Sequence, residues 1–449
     1  MSEQSHRRAL IAGLATLAAA APVAALGKTQ PKAAAPQTGW LDGAVLGIVP
    51  GPVTDQTVVV QAALNVAHEQ GRPLVLPAGQ VFVANLEIPG KLRLLGQPGA
   101  TVLIGWNGQP VGKAMLANDL VIDGVGFSGA SGDQPADGGL LTIDSSVGVR
   151  ISNCQFLISP RPGLLLANSE AVIENSTFDQ LDIAIFSHDS RGLKISGNQI
   201  TGCGNGGILI WREQPGPDGS IVSGNRIAHV LARAGGEGQN GNAINIFRAD
   251  NVIVADNAID DCAFSAVRAN TTRNCQIRGN SCTNLREVAI YSEFGFSGSV
   301  IANNVIDGAT SGISITNLDQ GGHLATCTGN VVRNIGSTTG AGIGIGAEAD
   351  TVVSGNTVSA VNGTAIAAGY GPFLRNVLVT GNVVTEADTG IKVSIVDGIG
   401  AVRVAGNLLS GIRGNPFEGA AWEKTVSADL VADAAKFPTL SIEGNVVGK

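Results

Sequence analysis

Apolar and polar residues alternate with period two in short runs along most of this chain. Gly, Asn and Asp separate the runs. This pattern predicts short β-strands joined by tight turns. One hexapeptide returns twelve times: an apolar residue, two small or polar residues, usually Asn, any residue, then another apolar one. Clear copies are ISGNQI at Ile195, VSGNRI at Val222, VADNAI at Val254, IRGNSC at Ile277, IANNVI at Ile301 and VTGNVV at Val379. Two early copies, ISNCQF at Ile151 and IENSTF at Ile173, shift the Asn by one place. The fourth position runs from Cys154 and Ser176 through Asn198, Asn225, Asn257, Asn280, Asn304, Asn330, Asn356, Asn382 and Asn407 to Asn445, in steps of 22 to 38 residues.

A second landmark falls in each period: Gly or Ala, an apolar residue, then alternation. Examples are AIFSH from Ala184, GILIW from Gly207, AINIF from Ala243, AVRAN from Ala266 and AIYSE from Ala289. GISIT from Gly312, GIGIG from Gly342 and GIKVS from Gly390 continue it. Three short strands per period and no helical stretch predict a parallel β-helix, in which each coil stacks on the last. The Asn column is expected at the corners, since Asn tolerates left-handed backbone and identical side chains stack into hydrogen-bonded ladders. These Asn residues read as scaffold. With early coils around Leu92 and Val121, the count is about 13–14 coils and the rod about 65 Å long.

One stretch breaks the pattern. Residues 55–73 place Val59, Ala62, Ala63, Val66 and Ala67 at helical spacing, after Thr54 and Asp55 as cap residues and before a stop at Gly71. The open end of a β-helix exposes strand edges, so this helix is expected to cover the first coil.

Composition agrees. Gly supplies 62 of 449 residues, and charged residues are 14%, against about 25% in ordinary domains. The net charge of −8 disfavours nucleic acid, and an acidic polysaccharide would need a local basic patch. Arg7 and Arg8 precede an apolar run at 9–21 that is too short and Ala-rich to anchor in a membrane. That arrangement predicts a twin-arginine export signal over 1–27, and with it a periplasmic or secreted location. A Pro/Ala linker follows over 28–40, then a cap region over 41–90 and coils over 91–449. Cys154, Cys203, Cys262, Cys275, Cys282 and Cys327 show no metal spacing and read as core packing. No cofactor or metal is expected.

The opening TDQTVVVQAALNVAHEQGRPLVLPAGQVF resembles that of pectate-lyase-like β-helix proteins. Together with the twin-arginine signal and the GN-rich coils, the chain resembles the Tat-translocated repetitive proteins of bacteria. The resemblance runs from Arg7 to Lys449 and implies a right-handed parallel β-helix, export by the Tat machinery and no stable membrane insertion. It also implies substrate along the outside of the strands beginning at Ala184, Gly207, Ala243, Ala266 and Ala289. The enzyme motifs of that group do not carry over, and a fold does not set chemistry.

Alternation assigns the outward face of those strands. It presents Phe186 and His188, Leu209 and Trp211, Asn245 and Phe247, Arg268 and Asn270, then Tyr291 and Glu293. Later coils present Ser314 and Thr316, Gly344 and Gly346, Ala367 and Gly369. Aromatic residues are only 4% of the chain, so their gathering on one stripe points to ligand binding. Flat rings stack on sugars, and Arg, Asn and Glu bind hydroxyls or carboxylates. Residues 212–220 and 228–242 are expected as loops walling a groove. Arg212, Glu213, Arg248 and Asp250 fall at the strand ends.

For a lyase or epimerase, Arg268 is the candidate base or carboxylate-neutralising group and His188 the proton carrier. For a hydrolase, Glu293 would pair with Asp189, Glu213 or Asp250. Two functions follow: an exported protein that binds, and cleaves or epimerises, a polysaccharide, or a non-catalytic structural or adhesion-type rod.

Overall fold

The computed structural model describes residues 39–129, 138–236, 238–316, 321–336 and 340–448. The expected signal peptide and nearly all of the linker lie outside them. The described chain is a parallel β-helix, right-handed as crossover connections between parallel strands are. One sheet stacks 16 strands, from Leu41–Asp42 to Leu440–Glu443. Two strands, Leu41–Asp42 and Leu74–Val75, precede the fourteen that run from Arg93–Leu95 onward, against the expected 13–14 coils. A typical coil runs Ile221–Ser223, Arg226–Val230 and Asn242–Asp250. All pairings are parallel except the hairpin Phe417–Ala421 with Lys424–Ser427. Ile, Val and Leu fill the interior, with Phe127, Phe156 and Phe178 stacked at 5.0 and 4.7 Å.

The asparagines form a ladder, but not by turning the corner themselves. The left-handed residue is the one before: Gly224 (φ 64°), Asp256 (φ 58°), Gly279 (φ 68°) and Asn303 (φ 56°). The Asn that follows points inward. Asn225 Nδ2 donates to Asn257 Oδ1 at 2.9 Å and to the Ile195 carbonyl at 3.1 Å, and its backbone N–H donates to the same Oδ1 at 3.0 Å. The ladder satisfies buried backbone groups that no strand pairs. It also explains the two shifted copies. Asn153 and Asn175 take the left-handed place (φ 53° and 52°), and Cys154 and Ser176 take the ladder place, with Cys154 N–H on Ser176 Oγ at 3.1 Å.

The predicted helix is Thr57–Gln70, ended by Gly71 at φ 60°. Its buried face is Val60, Ala63, Leu64 and Ala67, rotated from the expected set, and Ala62 is exposed. It covers the first coil with hydrogen bonds as well as apolar contact. Gln61 accepts from Glu87 N at 2.8 Å and donates to Glu87 O at 2.9 Å, while Thr57 Oγ1 accepts from Ala84 N. At the other end the hairpin 417–427 and the helix Leu430–Asp433 pack over Ile395 through the buried Leu430.

Candidate functional site

The stripe's strands pair in the expected register. Ile185, Ile208, Ile244, Val267 and Ile290 stack inside, so the next residues form one outward row and those two further on a second. The first row is Phe186, Leu209, Asn245, Arg268, Tyr291 and Ser314. The second is His188, Trp211, Phe247, Asn270, Glu293 and Thr316. Facing outward does not leave these residues open to solvent. Phe186, Leu209, Asn245, Arg268 and Glu293 are all below 9% exposed, because neighbouring side chains cover them and the Gly238 backbone lies over Asn245 and Arg268. His188, Trp211, Phe247, Asn270 and Tyr291 remain half-buried.

The expected loop at 212–220 is instead mostly strand. Gly206–Pro217 continues past Trp211 with a bulge and rejoins its neighbour at Gly216. The first insertion touches the end of the stripe through Arg212 and Glu213, and the second lies over its middle. Its Gly238 carbonyl accepts from Asn245 Nδ2 at 3.2 Å, and a side chain at Gly238 would meet the Arg268 guanidinium.

Within the stripe the polar groups satisfy each other. Arg268 grips Glu293 with two parallel bonds, Nε to Oε1 at 2.7 Å and the terminal nitrogen to Oε2 at 2.9 Å. Asn270 adds a bond to Glu293 at 2.7 Å, and Glu287 sits 3.4 Å from Arg268. Burial opposes the Arg268 charge, but Glu293 and Glu287 hold its pKa above the ordinary arginine value. Arg268 is therefore held as a cation by its two carboxylate partners. Its guanidinium also lies 5.0 Å from the Tyr291 ring, and burial, above all, raises the Tyr291 phenol.

At the other end of the stripe, Phe186, Trp211 and Phe247 meet edge to face at 5.4 and 6.0 Å. Trp211 Nε1 donates to Asn245 at 3.2 Å. Arg248 stacks on Phe247 at 4.7 Å and donates to the Glu213 carbonyl. Asp189 gathers His188 (3.4 Å), Arg212 (3.8 Å) and the Glu213 N–H.

The carboxyl pairs expected for hydrolysis are not formed. Asp189 stands four rungs from Glu293, about 19 Å at 4.8 Å per rung, beyond the 5–9.5 Å at which two carboxyl groups work on one glycosidic bond. Glu213 points from the bulged strand into solvent. Asp250 accepts from Arg273 N instead. The carboxylate that does approach Glu293 is Glu287. It sits where the register slips between Leu285 and Val288, which counting along the repeat cannot locate. Burial raises its pKa, against the opposing charge of Arg268.

The repeat also misplaces one later coil. Ile313 pairs with Ile345 and Ser314 with Gly346. Alternation then gives Gly346 and Glu348 as the outward pair in GIGIGAE, not Gly344 and Gly346. The string repeats itself, so either phase fits the pattern. Two open hollows, of about 310 and 390 Å³, lie on other faces beside Arg403 and Arg226.

The chain matches the family described as periplasmic copper-binding protein (NosD) over residues 116–293 and 240–430. It belongs to this family. Its residues do not suit copper. Among the described residues no three of His, Cys, Asp and Glu converge. The six cysteines are free and buried, and burial pushes thiols such as Cys154 and Cys282 up to about 12, whereas thiolate is the metal ligand. No helix among the described residues is long and apolar enough to cross a membrane.

No curated protein matches the chain. Among solved structures, it is similar to the Streptococcus pneumoniae surface protein and adhesin PfbA, at 14% identity over 85% of this chain and 100% of that one, with a TM-score of 0.53. It is also similar to the N-terminal fragment of bacteriophage Phi29 gene product 12, at 14% identity over 90% and 71%, with a TM-score of 0.52. Tailspike protein 3 of bacteriophage CBA120 matches at 9% identity over 90% and 61%, with a TM-score of 0.50. These likenesses show the fold alone.

Proposed function

We propose that this protein is exported by the twin-arginine route, with residues 1–27 as signal, and binds an uncharged polysaccharide along the face formed by strands 184–293. The observation that carries this reading is the edge-to-face row Phe186–Trp211–Phe247 on rigid rungs, next to cations that are already taken. Arg268 belongs to Glu293 and Glu287, Arg212 lies on Asp189, and Arg248 on Phe247. An acidic sugar would find Arg248 there without a carboxylate partner, but facing Asp189, Glu213, Glu287 and Glu293, so like-charge contact disfavours it. A neutral sugar needs a ring to stack on and amide or hydroxyl partners, which Trp211, Tyr291, Asn270 and Thr316 supply.

The test is titration of the purified protein with neutral and uronic-acid oligosaccharides, followed by calorimetry and tryptophan fluorescence. Neutral oligosaccharides are expected to bind, and Trp211→Ala to weaken binding at least about tenfold, the loss of a stacking anchor. Unchanged binding in a folded Trp211→Ala protein would falsify the assignment of this face.

A catalytic reading has one observation in its favour: Glu287, partly exposed at the stripe's edge, has a carboxyl whose pKa burial raises, as a general acid requires. New reducing ends or unsaturated products, lost in Glu287→Gln, would establish it. Binding without turnover leaves a binding rod.

A further inference from the structure

A second aromatic cluster stands further along the same face. The hairpin that pairs Ala421 with Lys424 turns through Trp422 and Glu423, and Trp422 sits at φ 57° and is half exposed. Such two-residue turns take Asn, Asp or Gly at positive φ, and a bulky residue there is strained. Strain of this kind persists where the surroundings hold it, and it concentrates at ligand clamps. The surroundings are specific. The Trp422 ring lies against Tyr370 at 5.3 Å and Phe373 at 6.2 Å, both edge to face. It rests on the bare backbone of Gly371, where a Cβ would come within 2.5 Å of it. Ser394 Oγ fixes that backbone by donating to the Gly371 carbonyl.

Between this cluster and the first stripe the first outward row holds Ser314, Gly346 and Ala367, while the second holds Thr316 and the buried Glu348. These small residues make a floor bounded by rings at both ends. Trp211 and Gly369 are six rungs apart along the second row, about 29 Å. The charges near the second cluster are mostly carboxylates. Lys392 pairs with the buried Glu418, 3.5 Å away. Desolvation, then Glu423 and Glu348, raises the Tyr370 phenol.

We infer that Trp422, Tyr370 and Phe373 form a second stacking subsite for an uncharged sugar ring, so that one neutral polysaccharide chain lies along the rod axis over the small-residue floor and touches both aromatic clusters. The inference rests on the reading that this face takes neutral glycans. Trp422 supplies the exposed ring, Gly371 sets its height, the exposed Glu423 accepts hydroxyl hydrogen bonds, and the carboxylates together repel uronates. Two contact points on one chain raise affinity through effective concentration once the ligand spans them.

The test uses the full chain with gluco-, manno- and xylo-oligosaccharides of increasing length, and oligogalacturonates of matched length. Wild type is expected to gain at least about tenfold in affinity for the longest neutral ligands over the shortest. Trp422→Asn, which suits the left-handed turn, should keep the fold by circular dichroism and lose that gain. Trp422→Phe should retain part of it. A folded Trp422→Asn protein with the wild-type length dependence overturns the second subsite, and the first stripe still stands if Trp211→Ala weakens binding. No binding of any neutral oligosaccharide overturns both, and tighter binding of oligogalacturonates overturns the choice of sugar. Should Trp422→Asn fail to fold, protection of Trp422 from N-bromosuccinimide in wild type decides: slowed oxidation with ligand supports the subsite, and unchanged oxidation rules it out.

Discussion

Arg268 and Glu293, 25 residues apart in sequence, face each other across neighbouring coils as a two-bond fork beneath a glycine loop. The pair is nearly closed to water, at 8% and 2% exposure. Removing one partner strands the other. Arg268→Ala is therefore expected to destabilise the protein by about 3–5 kcal/mol, whereas replacing both residues by apolar ones of similar volume should recover most of that loss. Arg268→Lys keeps the charge but not the fork and should fall between. Urea unfolding of the four proteins checks this, and an Arg268→Ala midpoint equal to wild type would show the pair to be open in solution.

The asparagine ladder is expected to be as sensitive. Asn304 Oδ1 accepts the backbone N–H and the side-chain amide of Asn280, and its own Nδ2 donates to Ile277 O and Asn330 Oδ1. Asn304→Ala leaves several buried groups unpaired at about 1–3 kcal/mol each. Asn304→Asp keeps the acceptor, loses the donors and buries a carboxylate. Both should unfold at lower temperature than a Ser281→Ala control on the surface, and melting near the control's value would deny the ladder a structural role.

Asp218 gives a prediction in pH. Its Oδ1 accepts from Ser220 N at 3.0 Å, its Oδ2 has no partner, and burial raises its pKa, opposed by Ser220, Arg212 and Arg191. A carboxyl with a folded pKa above its unfolded value favours folding most when protonated. That contribution fades as pH rises through the folded pKa. Asp218→Asn should therefore raise the melting temperature at neutral pH, with the gain shrinking as pH falls toward the ordinary carboxyl range. A gain that grows on acidification would reverse the assignment.

The cysteines should be inert in the folded protein. With Cys154, Cys203, Cys275, Cys282 and Cys327 pushed up to about 12 by burial and Cys262 raised as well, almost no thiolate forms at pH 8. A thiol reagent such as DTNB is expected to label none of them until denaturant is added. Rapid labelling of the native protein would place a thiol at the surface.

The architecture was legible because every coil repeats one local solution. The spacing of the Asn column marked twelve rungs, and period-two alternation sent Ile185 inward and Phe186 outward. Alternation gives direction only. It did not reveal that outward residues such as Asn245 and Glu293 are covered, because the cover comes from the Gly238 backbone and from the Arg268 and Asn270 side chains of a neighbouring coil. It also could not show which of two equivalent phases GIGIG adopts, and so it hid Glu348. Glu287 was invisible for a related reason: it occupies a slip in the register, where counting fails.

By itself, the sequence determined the β-helix, its coil number, the helical cap and the stripe that departs from scaffold. Periodic burial of apolar side chains is a local constraint that each repeat must meet. Only the tertiary structure decided what the stripe can do. Arg268, Glu293 and Glu287 come together through stacking of separate coils, and Trp422 meets Tyr370 only when the last hairpin folds onto the rod. Charge pairing and ring contact depend on distances that no spacing along the chain encodes.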